Sequence, residues 1–374
     1  MNPFKAILDQ IMGSLQKSPE SVVGIDIGSC FIKVVQIRKK GSKAVLETYG
    51  SLALGPYDNQ PDGSATNLSV EKISEALLDL IKEANVSTKN VAVAMSSSAS
   101  LIFILKIPGI VDEGKLPSIV PLEARKYIPV PIDEVSLDWF LVPKDSYDSQ
   151  SSLYEKSKGG KVEENEVLVT ATHLDTIKKY QDIVSKSGLS AEDFEIEIFS
   201  NARASLKRDL LSVALLDIGA LRTRLSIMER GVVKSFHIIN RGSVDMTNEI
   251  MRALGVSFEK AEEMKIKNVI QNDKNNRDVL SIVRPSLDFI FSEAGNAILV
   301  YEKSCGKTVS KAILSGGGSL MPSMMDFASA KFNFEVILSD PFSKVEAPVF
   351  LSEVLKNIGP QFGVALGMAL RKIR

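Results

Sequence analysis

Val22-Val-Gly-Ile-Asp-Ile-Gly-Ser-Cys-Phe-Ile-Lys-Val-Val-Gln-Ile37 reads as an apolar strand, a tight Asp-Ile-Gly turn and a second apolar strand. A near copy returns mid-chain as Val213-Ala-Leu-Leu-Asp-Ile-Gly-Ala-Leu-Arg-Thr-Arg-Leu-Ser-Ile227. Asp26 matches Asp217, Gly28 matches Gly219, and basic Lys33 matches Arg224. β-Branched runs bounded by a glycine turn form strands and hairpins. Two hairpins of one design predict a duplicated α/β architecture whose halves face a shared cleft.

The turns also carry chemistry. A strand that ends in a tight turn aims successive backbone N–H groups at one point, and such a concavity holds phosphate oxygens. Gly28 and Gly219 permit the close approach that a side chain would block. Ser29 and Ala220 follow them, with Thr223 just beyond the second turn. The carboxylates of Asp26 and Asp217 cannot favour phosphate themselves, so they imply a bridging Mg²⁺, held through water. Lys33 offsets phosphate charge as a point cation. A single Asp-x-Gly turn is commonplace; the weight lies in the pair.

Three further stretches join them. Leu314-Ser-Gly-Gly-Gly-Ser319 puts Gly316, Gly317, Gly318 and Ser319 at a strand exit, where bare backbone accepts a flat base or ribose. Glu262 and Lys265 stand three apart on a helical stretch and share a face, suited to a ribose and an adenine edge. A surface ion pair is the alternative for that spacing. Glu197, in Phe194-Glu-Ile-Glu-Ile-Phe199, is the candidate to position an in-line water for hydrolysis. Its alternative is a solvated carboxylate at a strand end.

Composition narrows the classes. The 374 residues suggest two or three domains. Forty-five basic residues against 46 acidic ones leave a net charge of −1, too little field for nucleic acid to be the main partner. Two cysteines, Cys30 and Cys305, and two histidines, His173 and His237, exclude a disulfide framework and a zinc site, and fit a reducing cytoplasm. No run approaches the roughly 18–20 apolar residues of a membrane span. Phe4, Ile7, Leu8, Ile11 and Leu15 stand at helical spacing, so residues 1–20 read as an amphipathic extension, docked on the body or on a membrane or partner. Between the hairpins, helices are expected at 70–84 and 174–187, and strands at 91–95, 101–107, 135–142 and 166–171. A long loop is expected at 143–166 and a closing helix at 362–372.

With these residues assembled, the chain resembles the actin-like ATPase superfamily, with its ribonuclease H-like duplicated fold. Asp26-Ile-Gly-Ser29 resembles the first phosphate motif, and Asp217-Ile-Gly-Ala220 with Thr223 the second. Ser315-Gly-Gly-Gly-Ser319 resembles the adenosine motif, and Glu262-x-x-Lys265 the helix framing the nucleoside. More specifically, Glu123-Ala-Arg-Lys-Tyr-Ile-Pro-Val-Pro-Ile-Asp-Glu-Val135 is similar to a signature of the type IV pilus assembly protein M family. Phe199-Ser-Asn-Ala-Arg203 and Asp340-Pro-Phe342 also resemble segments of that family.

The resemblance implies a first subdomain at 21–88 and 186–211, an inserted subdomain of the FtsA type at 89–185, and a second half at 212–374. It implies an ATP- and Mg²⁺-binding cytoplasmic adaptor, peripheral to the inner membrane, with at most slow ATPase activity. The implied partner is the N-terminal cytoplasmic peptide of a PilN-like bitopic protein, gripped near Tyr127, Ile128, Pro129 and Val130. Pilus motor ATPases, and further copies of the chain in an oligomer or filament, complete the implied partners. An FtsA-like membrane filament and a small-molecule kinase of the same superfamily are the competing readings. Departures from the family pattern are Cys30, basic Arg222 and Arg224, the 1–20 extension and the enlarged loop.

Overall fold

The computed structural model describes residues 21–109, 113–143, 164–207, 211–268 and 278–373. The extension at 1–20 and most of the loop expected at 143–166 lie outside the described residues. The first half runs β1 (Ser21–Ile27), β2 (Phe31–Lys40), β3 (Lys43–Ala53), α1 (Val70–Glu83) and β4 (Asn90–Met95). It continues through β5 (Ser100–Pro108), α2 (Leu116–Ala124), β6 (Val135–Leu141), β7 (Glu164–His173), α3 (Leu174–Lys186), β8 (Ser190–Ile196) and α4 (Glu197–Ser205). After it come β9 (Ser212–Ile218), β10 (Thr223–Glu229), β11 (Val232–Ile239), α5 (Ser243–Leu254), α6 (Phe258–Lys267) and α7 (Val279–Cys305). The chain closes with β12 (Val309–Ser315), α8 (Met324–Lys331), β13 (Glu335–Leu338), α9 (Ser352–Ile358) and α10 (Gly363–Ile373).

Two five-stranded sheets repeat one topology, β3-β2-β1-β4-β8 and β11-β10-β9-β12-β13. In each, the hairpin pairs antiparallel, and its first strand pairs parallel with the strand that follows the helices. β1 and β9 lie at the centre of their sheets and are covered on both faces, which is why they read as unbroken apolar runs. A three-stranded antiparallel sheet, β5-β7-β6, is hydrogen-bonded to neither and has a core of its own around Leu105, Val120, Ile128 and Val169.

The packing follows the periodicities. α1 buries Ile73, Ala76, Leu77 and Leu80 against the first sheet, and Ser69 caps it by accepting the Lys72 N–H. α7 lays Val283, Leu287, Ile290 and Phe291 on the outer face of the second sheet. The inner faces are covered differently. α10 covers the first sheet, and Ile198 and Ala202 of α4 join Leu215 and Ile313 of the second.

The structure redraws the expected boundaries in two places. β4 and α3 fall within 89–185, yet β4 is hydrogen-bonded between β1 and β8, and α3 packs against the first sheet; only β5 to β7 and α2 build the small unit. α10 falls within 212–374, yet it packs on β1, β2 and β4 of the first sheet. Its sequence, Gly363-Val-Ala-Leu-Gly-Met-Ala-Leu-Arg-Lys-Ile373, is buried at nine of eleven positions, and a helix apolar on nearly every side belongs inside. Gly24 makes the crossing feasible, because a Cβ there would collide with the Ala365 carbonyl. Among the described residues no helix is long and apolar enough to cross a membrane.

Candidate functional site

Each hairpin turn closes on its own glycine. Gly28 N–H donates to the Phe31 carbonyl at 3.0 Å, and Gly219 N–H to that of Arg222 at 3.0 Å. Antiparallel register then sets Asp26 opposite Lys33 and Asp217 opposite Arg224. The charged ends approach to 3.5 Å for Lys33 Nζ–Asp26 Oδ2 and 3.8 Å for Arg224 Nη1–Asp217 Oδ2.

Both turns open into one cavity of about 440 Å³, within the ordinary ligand-pocket range of roughly 300–1,000 Å³. Asp26, Gly28, Ser29 and Lys33 line it from the first sheet, and Asp217, Gly219, Ala220 and Arg224 from the second. Glu262, Lys265 and the triplet Gly316, Gly317 and Gly318 complete the lining, and so does Glu197, which pairs with Arg224 of the second hairpin.

The triplet is held from below. Ser315 pairs with Asp217 across the parallel strands, so β12 leaves the sheet beside the second turn. At Gly316, φ is +81°, and a Cβ would strike the Asp217 carboxylate, so glycine is required there. Gly316 N–H donates to the Pro360 carbonyl at 2.9 Å, and Ser315 Oγ to Asn201 Oδ1 at 3.0 Å. At Gly317 a Cβ would meet nothing within 4 Å, so bare backbone faces open space.

Several expected site residues do other work. Thr223 is fully buried and its Oγ1 donates to the Arg241 carbonyl at 2.9 Å, so it braces the turn instead of lining the cavity. Ser319 is buried too, donating to the Gly316 carbonyl at 2.7 Å to tie the triplet into a turn. Lys265 commits its ammonium to Glu262 Oε2 and Thr247 Oγ1, both at 2.7 Å, and to the Ser243 carbonyl at 3.1 Å. The Glu262–Lys265 pair is therefore a buried brace between α6 and α5, with only part of Glu262 left for a ligand.

Glu197 is not a solvated strand end. It is buried at the first turn of α4, and its Oε1 accepts from Ser97 N–H at 2.8 Å, Ser97 Oγ at 2.8 Å and Arg224 Nε at 2.7 Å. Asp217 feels this crowding. Its carboxyl is pushed up to about 6, chiefly by burial, with Glu197 and Asp26 adding to the rise and Arg224 opposing it. Burial likewise pushes the Cys30 thiol up to about 11, so this departure from the family pattern is a neutral wall residue. Among the described residues, no three His, Cys, Asp or Glu side chains come together to hold a metal ion.

In the connection between α2 and β6, Tyr127 and Pro129 are exposed, and the Tyr127 ring stacks on Phe103 of the small sheet at 5.1 Å. Ile128 is buried in the small core and Val130 packs against it, so these two support the surface rather than present it. Sequence reasoning missed Ser97, Ser98 and Asn201. Asn201 lies in the Phe199–Arg203 segment already singled out; the serine run at 96–98 carried no visible signal.

The sequence model described as Type IV pilus assembly protein PilM matches residues 24–373. The cell division protein FtsA of Pseudomonas aeruginosa is 24% identical over 392 aligned positions, covering 96% of this chain and 90% of that protein. Among solved structures, the PilM–PilN type IV pilus biogenesis complex superposes with a TM-score of 0.77 at 22% identity, over 96% of this chain and 99% of that one. The ethanolamine utilization protein EutJ of Carboxydothermus hydrogenoformans follows at 0.51 and 14%, over 98% of each.

Proposed function

The chain belongs to the type IV pilus assembly protein PilM family and has its actin-like fold, and on that premise we propose that it is an ATP-binding adaptor of pilus assembly. The observation that carries the reading is the convergence of two Asp-Ile-Gly turns and a glycine triplet on one cavity walled by both large sheets.

The residues present suit the nucleotide. Open space over Gly317 accepts a flat nucleoside against bare backbone, with Gly316, Gly318 and Glu262 around it. Since Gly28 and Gly219 spend their N–H groups closing the turns, the phosphates would meet the turn tips at Ser29 and Ala220, with Lys33 offsetting charge. Asp26, Glu197, Asp217 and Glu262 are balanced in the lining by Lys33, Arg222, Arg224 and Lys265, so the cleft holds no spare positive charge for a triphosphate, which would bring its own cation. With no three-ligand cluster among the described residues, Mg²⁺ would arrive with the phosphates and meet Asp26 and Asp217 through water. When bound, the ion neutralises phosphate charge. Glu197, with one oxygen already taking three donors, is restrained as a water-positioning group, so the reading favours binding and switching over rapid turnover.

The proposed partner is the N-terminal cytoplasmic peptide of a PilN-like bitopic protein, in keeping with the likeness to the PilM–PilN complex. Tyr127 and Pro129 are the outward residues offered to it. That partner would hold the adaptor in the cytoplasm against the inner membrane, within reach of motor ATPases and further copies of itself.

Calorimetric titration with MgATP tests the site. Wild type is expected to bind, and Gly317→Val to weaken binding at least about tenfold, or 1.4 kcal/mol, with an unchanged circular dichroism spectrum. Equal affinity in the two proteins would put the nucleotide elsewhere.

A further inference from the structure

Two arginines of the second half reach across the cleft floor to one short loop of the first. Arg224 Nε donates to Ser97 Oγ at 3.1 Å as well as to Glu197 at 2.7 Å. Arg222 Nη1 donates to Ser98 Oγ at 2.7 Å, while its Nε is steadied by Asn240 Oδ1 at 3.2 Å. Ser97 is fully buried, and its N–H and hydroxyl both go to Glu197. The residues gripped, 96–99, are the whole connection between β4 of the first large sheet and β5 of the small sheet.

The guanidinium of Arg224 also stands beside the second turn. A Cβ on Gly219 would stand 3.2 Å from Arg224 Nη1, and the same edge faces Asp217 at 3.8 Å. A phosphate at this turn would therefore arrive against Arg224, for which a planar guanidinium is the matching donor.

We propose that Arg222 and Arg224 form a strap through which the nucleotide state of the cleft reaches the small sheet. Phosphate at the Gly219 turn draws Arg224 away from Glu197 and Ser97, and the serine loop at the root of β5 loosens. The inference rests on the nucleotide-binding reading above and adds to it a route out of the site. Glu197 does not oppose the exchange outright, since it keeps the Ser97 N–H and hydroxyl when the arginine turns. The coupling is reciprocal: a partner that needs the loop tight would weaken nucleotide binding by the same factor.

Hydrogen exchange of the full chain, with and without MgATP, tests the strap. In wild type, MgATP is expected to speed exchange of the amides at 97–103 about fivefold or more, the lower end of ordinary allosteric couplings. In Ser97→Ala the same amides should exchange fast in both states, and MgATP should bind more tightly than in wild type, by up to about the same fivefold, because the strap no longer competes for Arg224. Ser98→Ala cuts only the Arg222 end, and should raise the resting rate while keeping part of the response. Wild type that binds MgATP with unchanged or slower exchange at 97–103 overturns the strap, as does a full response in Ser97→Ala. Wild type that does not bind MgATP overturns the nucleotide reading itself.

Discussion

The carboxyl of Asp217, the penultimate residue of β9, lies between Arg224 and the flank of Gly316, with Asp26 and Glu197 sharing the cleft. Its proton is held up to about pH 6 against an ordinary 3.8, first by burial. A carboxyl raised in the fold contributes stability that is present in full below about pH 3.8 and is lost as pH rises through about 6. Near neutrality the nucleotide-free protein thus carries a penalised charge. Asp217→Asn removes that charge, so its melting temperature at pH 7.5 should exceed that of wild type by about 2 °C or more. The gap should narrow as pH falls through about 6 and close near pH 3.8, while MgATP binding is lost at any pH. A gap of constant size across that range would mean burial of Asp217 is not its origin. The aspartates and glycines of the turns were legible in the sequence because turn chemistry is local. Arg224 was visible as the counterpart of Lys33 and as a basic departure from the family pattern, but its contact was not, because its acceptor at Ser97 lies 127 residues away and no spacing rule spans that distance.

At the scale of elements, α10 is the clearest case of a helix whose existence is legible and whose address is not. Apolar spacing at 362–372 predicts the helix, but nothing local says that it crosses β1 and lies along α4. The basic tail at Arg371 and Lys372 is accounted for, at sequence level, by the helix dipole alone. In the fold Arg371 Nη1 also reaches Glu195 Oε1 at 2.6 Å, and Lys372 pairs with Asp193, so the tail clasps β8. Arg203 of α4 grips the same Glu195 through both terminal nitrogens, at 2.6 and 2.7 Å, and donates to the Gly367 carbonyl at 2.9 Å. Close approach of α10 to α4 depends on Gly367, where a Cβ would overlap the Ser200 carbonyl. Gly to Ala inside a helix ordinarily stabilises by roughly 0.5–1 kcal/mol. Here Gly367→Ala is expected to destabilise by about 2–3 kcal/mol in urea unfolding, because overpacking outweighs propensity. A neutral or stabilising result would mean the two helices have room to part.

For the whole molecule, the sheets and their helices stack as α1 and α3, first sheet, α10, α4, second sheet, then α5, α7 and α8. The small sheet joins the same stack, since Ile102, Ile104 and Leu168 pack with Leu215 and Ile313 of the second sheet. Neither large sheet has an inner face to itself, so the two should unfold together. Calorimetry is expected to give one transition for both, displaced upward by MgATP as mass action requires. Two resolved transitions, only one of them moved by nucleotide, would show that the halves hold themselves together separately. The duplicated hairpins made the two sheets legible in advance. The shared middle layer was not, because it is built from the junction between the halves and from residues 363–373, which no repeat relates.

That middle layer also sets an order of events at the ribosome. β1 emerges well ahead of the helix that covers its inner face, which is made about 340 residues later. At roughly 5–20 residues per second, the nascent first sheet waits on the order of 20–70 s with an apolar face bare. During that interval it is a client for chaperones, and a slowed or stalled translation event before residue 363 would leave an aggregation-prone first sheet rather than a stable unit.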